Sequence, residues 1–464
     1  IDASTNAGAE VLVNGATIER DEGTLLEAPT FTGTINVDYV GDANVTTGNE
    51  LPASVNNLSV GEPGTEDDIT VTVNKDVTVN GVLSVDGDDD EDENFSINSA
   101  NTITVADGKE VSMGGGVIDG SGTLSYGGLA TLRYTGTSTM NDGNIAEYPA
   151  SKSDVDLIVE DPVTVGQAHT AQDVTFQTTG DDHLDLADDV LTVEGDISQA
   201  SDAGFFENDS GDDDTKVLLS GSSQQEISIN GDGEFDVLEN AADDDPETLD
   251  LEIDNSNDVV LKNGNLVLES TNSATNTSNN LDRALTRVEL VLTTRNLITR
   301  DNYHQLDHQG TRDQGFRRGS GTVVGQVRKQ LPTSGTQPNT LVYPVGTSGS
   351  SVHRPLSITF NDPSQINATS SFLTVDHITQ FPGGSNNLPI TTQDENGQSF
   401  DVARYPTFYW NITASTTLSP SINYDLELDA ASFADFTDED IERLRIIDRA
   451  TGVTTNSWGL AGDG

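Results

Sequence analysis

The sequence predicts an all-β chain: a long parallel β-helix, or solenoid, followed by a C-terminal β-sandwich. Three observations carry that expectation. Apolar residues recur as very short pairs at alternate positions, the rhythm runs from Ile69 to Leu268, and glycine and aspartate turns fall between the pairs.

Alternation with period two is what a strand with one buried face requires, because successive side chains point to opposite faces. Ile69, Val71 and Val73 alternate with polar residues, as do Val77/Val79, Leu83/Val85, Phe95/Ile97, Ile103/Val105, Val111/Met113, Leu124/Tyr126 and Leu132/Tyr134. Asn80-Gly81 and Asp107-Gly108 supply turns between them. The pairs follow too closely for βαβ units, whose crossovers need a dozen or more residues. A chain of antiparallel sandwiches and a parallel β-helix both fit. The tight spacing favours the β-helix, since sandwich strands recur every ~8–12 residues. The rhythm also outlasts a single sandwich, through Leu157/Val159, Val163/Val165, Val174/Phe176, Leu184/Leu186 and Leu191/Val193, then Ile227/Ile229, Leu249/Leu251/Ile253, Val259/Leu261 and Leu266/Leu268. In a solenoid each coil is buried only by its neighbours, so length adds stability without a large globular core.

A longer repeat overlies this rhythm. Ile35-Asn-Val-Asp-Tyr39-Val-Gly41 is echoed by Thr131-Leu-Arg-Tyr134-Thr-Gly136, and Glu50-Leu-Pro52-Ala-Ser54 by Glu147-Tyr-Pro149-Ala-Ser151. A strand follows each, at Leu58–Val60 and Leu157–Val159, giving a period of about 95 residues that spans several coils. Residues 1–30 then read as an N-terminal arm or cap. Residues 31–280 read as the solenoid, duplicated at about 35–130 and 131–230. Residues 281–334 read as an Arg-rich exit or cap and 335–464 as the sandwich domain, rich in Tyr and Phe and carrying Trp410 and Trp458. Within it, Tyr405–Leu428 reads as two strands joined by a turn, and Thr437-Asp-Glu-Asp440 as a capping box opening one short helix.

Charge limits the partners. There are 78 acidic residues against 21 basic ones, only six of them Lys, for a net charge of -57. Such a field repels nucleic acid and anionic membranes. It strains a compact fold in dilute buffer and is relieved by salt, which points to a saline medium, with calcium binding as the sharper rival. No apolar run approaches the ~20 residues of a membrane span. With no Cys there is no disulfide framework. No signal peptide is visible at Ile1, so a secreted form would be a processed one.

Four stretches resemble one group of proteins. Tyr39-Val-Gly-Asp-Ala-Asn-Val-Thr-Thr-Gly-Asn-Glu-Leu-Pro-Ala-Ser-Val-Asn-Asn-Leu58 is similar to a segment of large secreted surface proteins of the Bacteroidota and Rhodothermota type. Leu219-Ser-Gly-Ser-Ser-Gln-Gln-Glu-Ile227 resembles their Gly-Ser-x-Gln-x-Ile coil, with Leu251–Leu268 like the strand after it. Gly321-Thr-Val-Val-Gly-Gln-Val-Arg-Lys329, Tyr343-Pro-Val-Gly346 and Arg354-Pro-Leu356 resemble their exit from the solenoid, and Leu444-Arg-Ile-Ile-Asp-Arg449 with Trp458 the module beyond it. The resemblance implies a right-handed β-helix plus an immunoglobulin-like module, exported and displayed or released as an adhesin or structural fibre. It also implies a C-terminal sorting domain, absent before Gly464, so that removal or a chain fragment is expected. The acidity departs from most such proteins and points to a halophilic member.

Candidate chemistry is sparse. Parallel β-helices also host polysaccharide lyases and hydrolases, which set carboxylates with Arg or Lys on one face of adjacent coils. Acid pairs such as Asp181/Asp182 and Asp188/Asp189 are too common here to single out. The basic candidates Lys75, Lys109, Arg133, Lys152, Lys216 and Lys262 form no recognisable constellation, so no catalytic residue is assigned. Asp86, Asp88, Asp90 and Asp92 could wrap a Ca2+ ion with oxygen ligands, or form a hydrated acidic turn. Asp209–Asp214 and Asp243–Asp245 pose the same choice. His304-x-x-x-His308 has helical metal-ligand spacing without a third ligand, which favours a polar surface loop. Arg283, Arg287, Arg295, Arg312, Arg317, Arg318 and Arg328 mark the chain's one locally basic region. They either cap the solenoid by pairing with local acids or dock the acidic body of another copy, for which guanidinium is suited. The expected function is a non-enzymatic extracellular structural protein, a self-associating filament or sheath subunit. A surface adhesin or carbohydrate-binding protein comes second, with glycans as partner, and a polysaccharide-active enzyme third.

Overall fold

In the computed structural model the described residues are 12–41, 43–61, 69–87, 94–177, 182–187, 189–200, 205–208, 215–229, 234–239, 248–255, 257–263, 265–270, 287–292, 297–307, 316–318, 322–331, 339–347, 352–362, 366, 372–380, 382–383, 387–394, 396–403, 405–415, 418, 422–429, 446–448 and 459–460. They are all-β, without helix. The chain divides into two compact units: residues 1–257 with 262–290, and residues 258–261 with 291–464.

The first unit is a parallel β-solenoid. Its longest ladder stacks Thr17–Arg20, Asn36–Tyr39, Leu58–Val60, Val82–Asp86, Lys109–Gly114, Ala130–Tyr134, Val155–Val159, Val174–Phe176, Ile197–Gln199 and Gln225–Ile229, every neighbouring pair parallel. It begins ahead of residue 31, with Thr17–Arg20 paired to Asn36–Tyr39. One inward row runs Val37, Leu58, Leu83, Val111, Leu132, Leu157, Val174, Ile197 and Ile227, all directly in register. Every member is buried. Burying each such side chain stabilises the stack by about 1.5–3 kcal/mol.

Two shorter ladders close the early coils. One stacks Val45–Thr46, Thr70–Val73, Asn94–Ile97 and Val117–Gly120; the other stacks Ser54–Val55, Val77–Val79, Thr102–Val105 and Thr123–Tyr126. Later coils renew both, through Ser138–Thr139, Val163–Thr164, His183–Asp185, Phe205–Asn208 and Glu234–Glu239, and through His169–Ala171, Val190–Val193, Thr215–Leu219 and Thr248–Ile253. The alternating pairs of the sequence are these strands. Their apolar members lie at or near zero exposure wherever the side chain is described, except Tyr126, which is partly exposed.

The second unit changes pairing mode. Leu297–Asp307 runs parallel to Val323–Gln330, whose other edge is antiparallel to Phe372–Ile378, followed by Tyr409–Ala414. A second antiparallel sheet holds Asn339–Tyr343, Leu356–Phe360 and Tyr424–Leu428. The Tyr343 hydroxyl donates to the Leu373 carbonyl (3.2 Å), tying one sheet to the other. These antiparallel sheets form the C-terminal β-sandwich, and Val323–Gln330 joins it from before residue 335. Tyr409–Ala414 and Tyr424–Leu428 are the two strands read in Tyr405–Leu428, but they belong to different sheets and do not form a hairpin. The capping box at Thr437–Asp440 lies outside the described residues.

Close coil stacking leaves little room at some turns. Gly120 has φ +110°, and a Cβ there would stand 2.3 Å from the Ile97 carbonyl oxygen. Gly108, at φ +66°, faces open space. Gly120→Ala is expected to destabilise the surrounding coils by about 1–3 kcal/mol, against about 1 kcal/mol for Gly108→Ala. Hydrogen exchange of the strands Asn94–Ile97 and Val117–Gly120 measures the difference.

Candidate functional site

Five basic side chains of the solenoid clamp coil to coil, while Lys109 is exposed. Arg20 pairs with Glu50, donates to the Thr46 carbonyl (3.0 Å) and lies 5.8 Å over the Tyr39 ring. Lys75 Nζ donates to the carbonyls of Gly48 (2.6 Å) and Leu51 (2.7 Å). Arg133 reaches Glu110 on the coil before (3.0 Å), Glu160 on the coil after, and Gln177 beyond it (2.9 Å). Lys152 holds Asp154 (2.6 Å) and donates to the Gly128 carbonyl of the coil before (2.5 Å), and Lys216 holds Glu252 (2.9 Å). In so acidic a chain, these cations sit where they tie together residues far apart in sequence.

The 95-residue echo has a physical content that the sequence reading missed. In the first copy the Tyr39 hydroxyl donates to Glu50 Oε1 (3.0 Å), which also accepts from the Gly48 N–H (2.8 Å). In the second, the Tyr134 hydroxyl donates to Glu147 Oε1 (2.9 Å), which accepts from the Asn141 N–H (2.6 Å). All four side chains are buried. The signal was present: one donor and one acceptor residue recur at matching places in both copies.

Around Glu147 lies a buried polar cluster. Asn141, held at φ 59°, donates through Nδ2 to the Tyr148 carbonyl (3.0 Å) and accepts at Oδ1 from the Tyr148 N–H (2.9 Å). The His169 ring stacks on Tyr148 at 4.2 Å, and burial pulls its pKa down to about 4. The Tyr126 hydroxyl donates to the Glu147 carbonyl.

In the second unit the three exit motifs meet. The Val323 N–H and the Thr322 hydroxyl both donate to the Pro344 carbonyl (2.9 and 2.6 Å), and the Arg354 N–H donates to the Val345 carbonyl (2.9 Å). Cations here lie over rings: Arg328 over Phe372 (3.9 Å), Lys329 over Tyr343 (5.9 Å) and Arg354 over Phe408 (5.8 Å). Lys329 and Arg354 are buried, so the attraction acts in a partly desolvated setting that strengthens it. His377 stands opposite Trp410 in register, buried against its ring and that of Phe408; burial, then the Arg354 charge, lowers its pKa to about 4. Trp410 Nε1 donates to the Arg354 carbonyl (2.9 Å).

Of the basic region, Arg328 is thus placed on Phe372. Arg287 lies on the strand Arg287–Leu292, and Arg317 and Arg318 on Phe316–Arg318. Arg283, Arg295 and Arg312 lie outside the described residues. Asp86 ends the strand Val82–Asp86, nearly buried and accepting from the Ser84 hydroxyl (2.5 Å), and burial pushes its pKa up. Asp88, Asp90 and Asp92 lie outside the described residues, as do Asp209–Asp214 and Asp243–Asp245. His304 occupies the strand Leu297–Asp307 opposite Val327, so neither the helical spacing nor a loop holds at that position; His308 is not among the described residues. Among the described residues, no three His, Cys, Asp or Glu side chains are grouped to hold a metal ion.

No protein family, no curated protein and no solved structure matches the chain.

Arg133 is the clamp that spans most coils. Its guanidinium is about one-fifth exposed, so solvent screens part of the interaction. Arg133→Met is expected to cost on the order of 1–2 kcal/mol in dilute buffer and less in molar salt. Urea unfolding at the two ionic strengths measures it.

Proposed function

We propose that the chain is a non-enzymatic extracellular structural protein, a self-associating filament or sheath subunit of the cell surface, adapted to a saline medium. The observation that carries the reading is the division of charge. Of the described cations of the solenoid, Arg20, Lys75, Arg133, Lys152 and Lys216 are engaged by neighbouring coils, while Lys109 is exposed. Residues 281–330 hold nine of the chain's 21 basic residues. An acidic solenoid in one copy and a basic segment in another are complementary surfaces of different kinds. A heterologous contact of this type builds a filament when its rotation does not close. Calcium bridging acidic loops would add to the same assembly. The resemblance to secreted Bacteroidota surface proteins supports display outside the cell. Among the described residues no helix is long and apolar enough to cross a membrane.

Electron microscopy of the protein in high salt, with and without calcium, tests this reading. Wild type is expected to form fibres. Arg317→Glu with Arg318→Glu is expected to give dispersed particles with an unchanged circular dichroism spectrum. Fibres from that variant, or dispersed wild type, would count against the reading.

The second reading, a surface adhesin that binds glycans, is favoured by one face of the early coils. Ser54, Thr78, Thr104 and Ser125 stack in register on the outward side, beside Thr102 and Thr123. The first row carries hydroxyls and no carboxylate on a chain of net charge -57, while Asp76 accepts from the Thr102 N–H (2.8 Å) beside it. Binding to an insoluble neutral polysaccharide that is lost in Thr78→Asp with Thr104→Asp would support it, and equal retention of both proteins would reject it.

A further inference from the structure

The two copies of the duplicated unit share the Tyr–Glu hydrogen bond but not the charge beside it. In the first copy Arg20 occupies the position directly in register with Tyr39 on the adjoining strand. From there it pairs with Glu50 and lies over the Tyr39 ring. In the second copy the residue in register with Tyr134 on the adjoining strand is Met113, itself buried. Among the described residues no cation pairs with Glu147.

The groups facing Glu147 do not replace that cation. Tyr134 and Tyr126 approach as neutral hydroxyls, one on the carboxylate and one on the Glu147 carbonyl. Asn141 contributes its N–H, and Asp142 adds a like charge. Tyr148 and His169 stack beyond Asn141, and the His169 ring is neutral near pH 7. Lys152 lies over the Tyr126 ring at 5.6 Å but is held by Asp154 and the Gly128 carbonyl.

We infer that the second Tyr–Glu pair is a pH-sensitive fastening of the solenoid: Glu147, left without a guanidinium by Met113, is a buried carboxyl with no counter-charge, and its ionisation loosens the strands Ala130–Tyr134 and Val155–Val159. The first pair, neutralised by Arg20, stays fastened over the same range.

The sign follows from burial. Glu147 is pushed up by burial despite its hydrogen bonds, whereas in Glu50 the N–H donors, Arg20 and Tyr39 outweigh burial and pull it down. A carboxyl whose folded pKa is raised holds its proton more tightly when folded. Its contribution is complete below the unfolded value near 4.5 and is lost as pH rises toward the folded one. Glu50 behaves oppositely, contributing above the unfolded value and losing it in acid.

Hydrogen exchange of the full chain in high salt, corrected for the intrinsic rate and followed from pH 5 upward, tests the inference. In wild type, protection of residues 130–159 should fall by up to about tenfold per pH unit relative to residues 36–60. Glu147→Gln should flatten that difference to less than about twofold, and Met113→Arg should move the fall to higher pH or remove it. Glu50→Gln should leave the response of residues 130–159 in place. If Met113→Arg fails to fold, the Glu147→Gln comparison decides. If that variant fails too, an infrared carboxylic-acid band in wild type with the same pH midpoint as the protection loss supports the inference, and its absence rejects it. Equal pH dependence of both segments in wild type overturns it, as does a slope that survives Glu147→Gln.

Discussion

Each coil of the solenoid satisfies its backbone through the coils on either side, and this inter-coil hydrogen bonding governs everything else in the first unit. The Val37 N–H donates to the Asn57 carbonyl, the Asn56 N–H to the Ile35 carbonyl, and the pattern repeats along the stack. An in-register parallel ladder forces like positions to overlie one another. That is why Leu58, Leu83, Val111 and Leu132 form one continuous inward row, and why a polar residue in such a row must bring its partner with it. Tyr39 and Tyr134 enter a row that also holds Arg20, Val60, Val85, Met113, Val159, Phe176 and Gln199, and each tyrosine brings a glutamate.

The same stacking sets the electrostatic problem. Bringing coils within strand distance of one another concentrates the acidic surface of a chain carrying -57. Salt screens exposed charges most effectively, so rising ionic strength relieves much of that repulsion. The few cations act where screening is weaker, in part-buried sites between coils such as Arg20 with Glu50. In the second unit cations also lie over the rings of Phe372, Tyr343 and Phe408.

The architecture was legible because its signal is local. Period-two pairs such as Phe95/Ile97 or Leu191/Val193 state a buried face within three residues, and their buried positions follow directly. Contacts between coils are less legible, because the turns joining strands vary in length and hide which residues overlie each other. Tyr39 and Glu50 were both inside the quoted echo, yet nothing in their spacing shows that the chain turns back between them. The two strands read in Tyr405–Leu428 are both present, but their spacing did not show that they belong to different sheets, which only their partners decide. The basic region was visible as composition, but a run of arginines does not state what each covers, and the stack of Arg328 on Phe372 depends on a strand more than forty residues away.

A solenoid therefore distributes chemistry differently from a globular enzyme. A side chain's neighbours are set by the coil before and the coil after, so a site is a row across coils and leaves no compact motif in the chain. Duplication copies such a row together with its register, and divergence at one position then changes the environment of a residue distant in sequence. Met113, at the register position that Arg20 holds beside Tyr39, is that kind of difference: an apolar inward residue is ordinary in its own strand, yet it leaves a glutamate more than thirty residues on without a counter-charge.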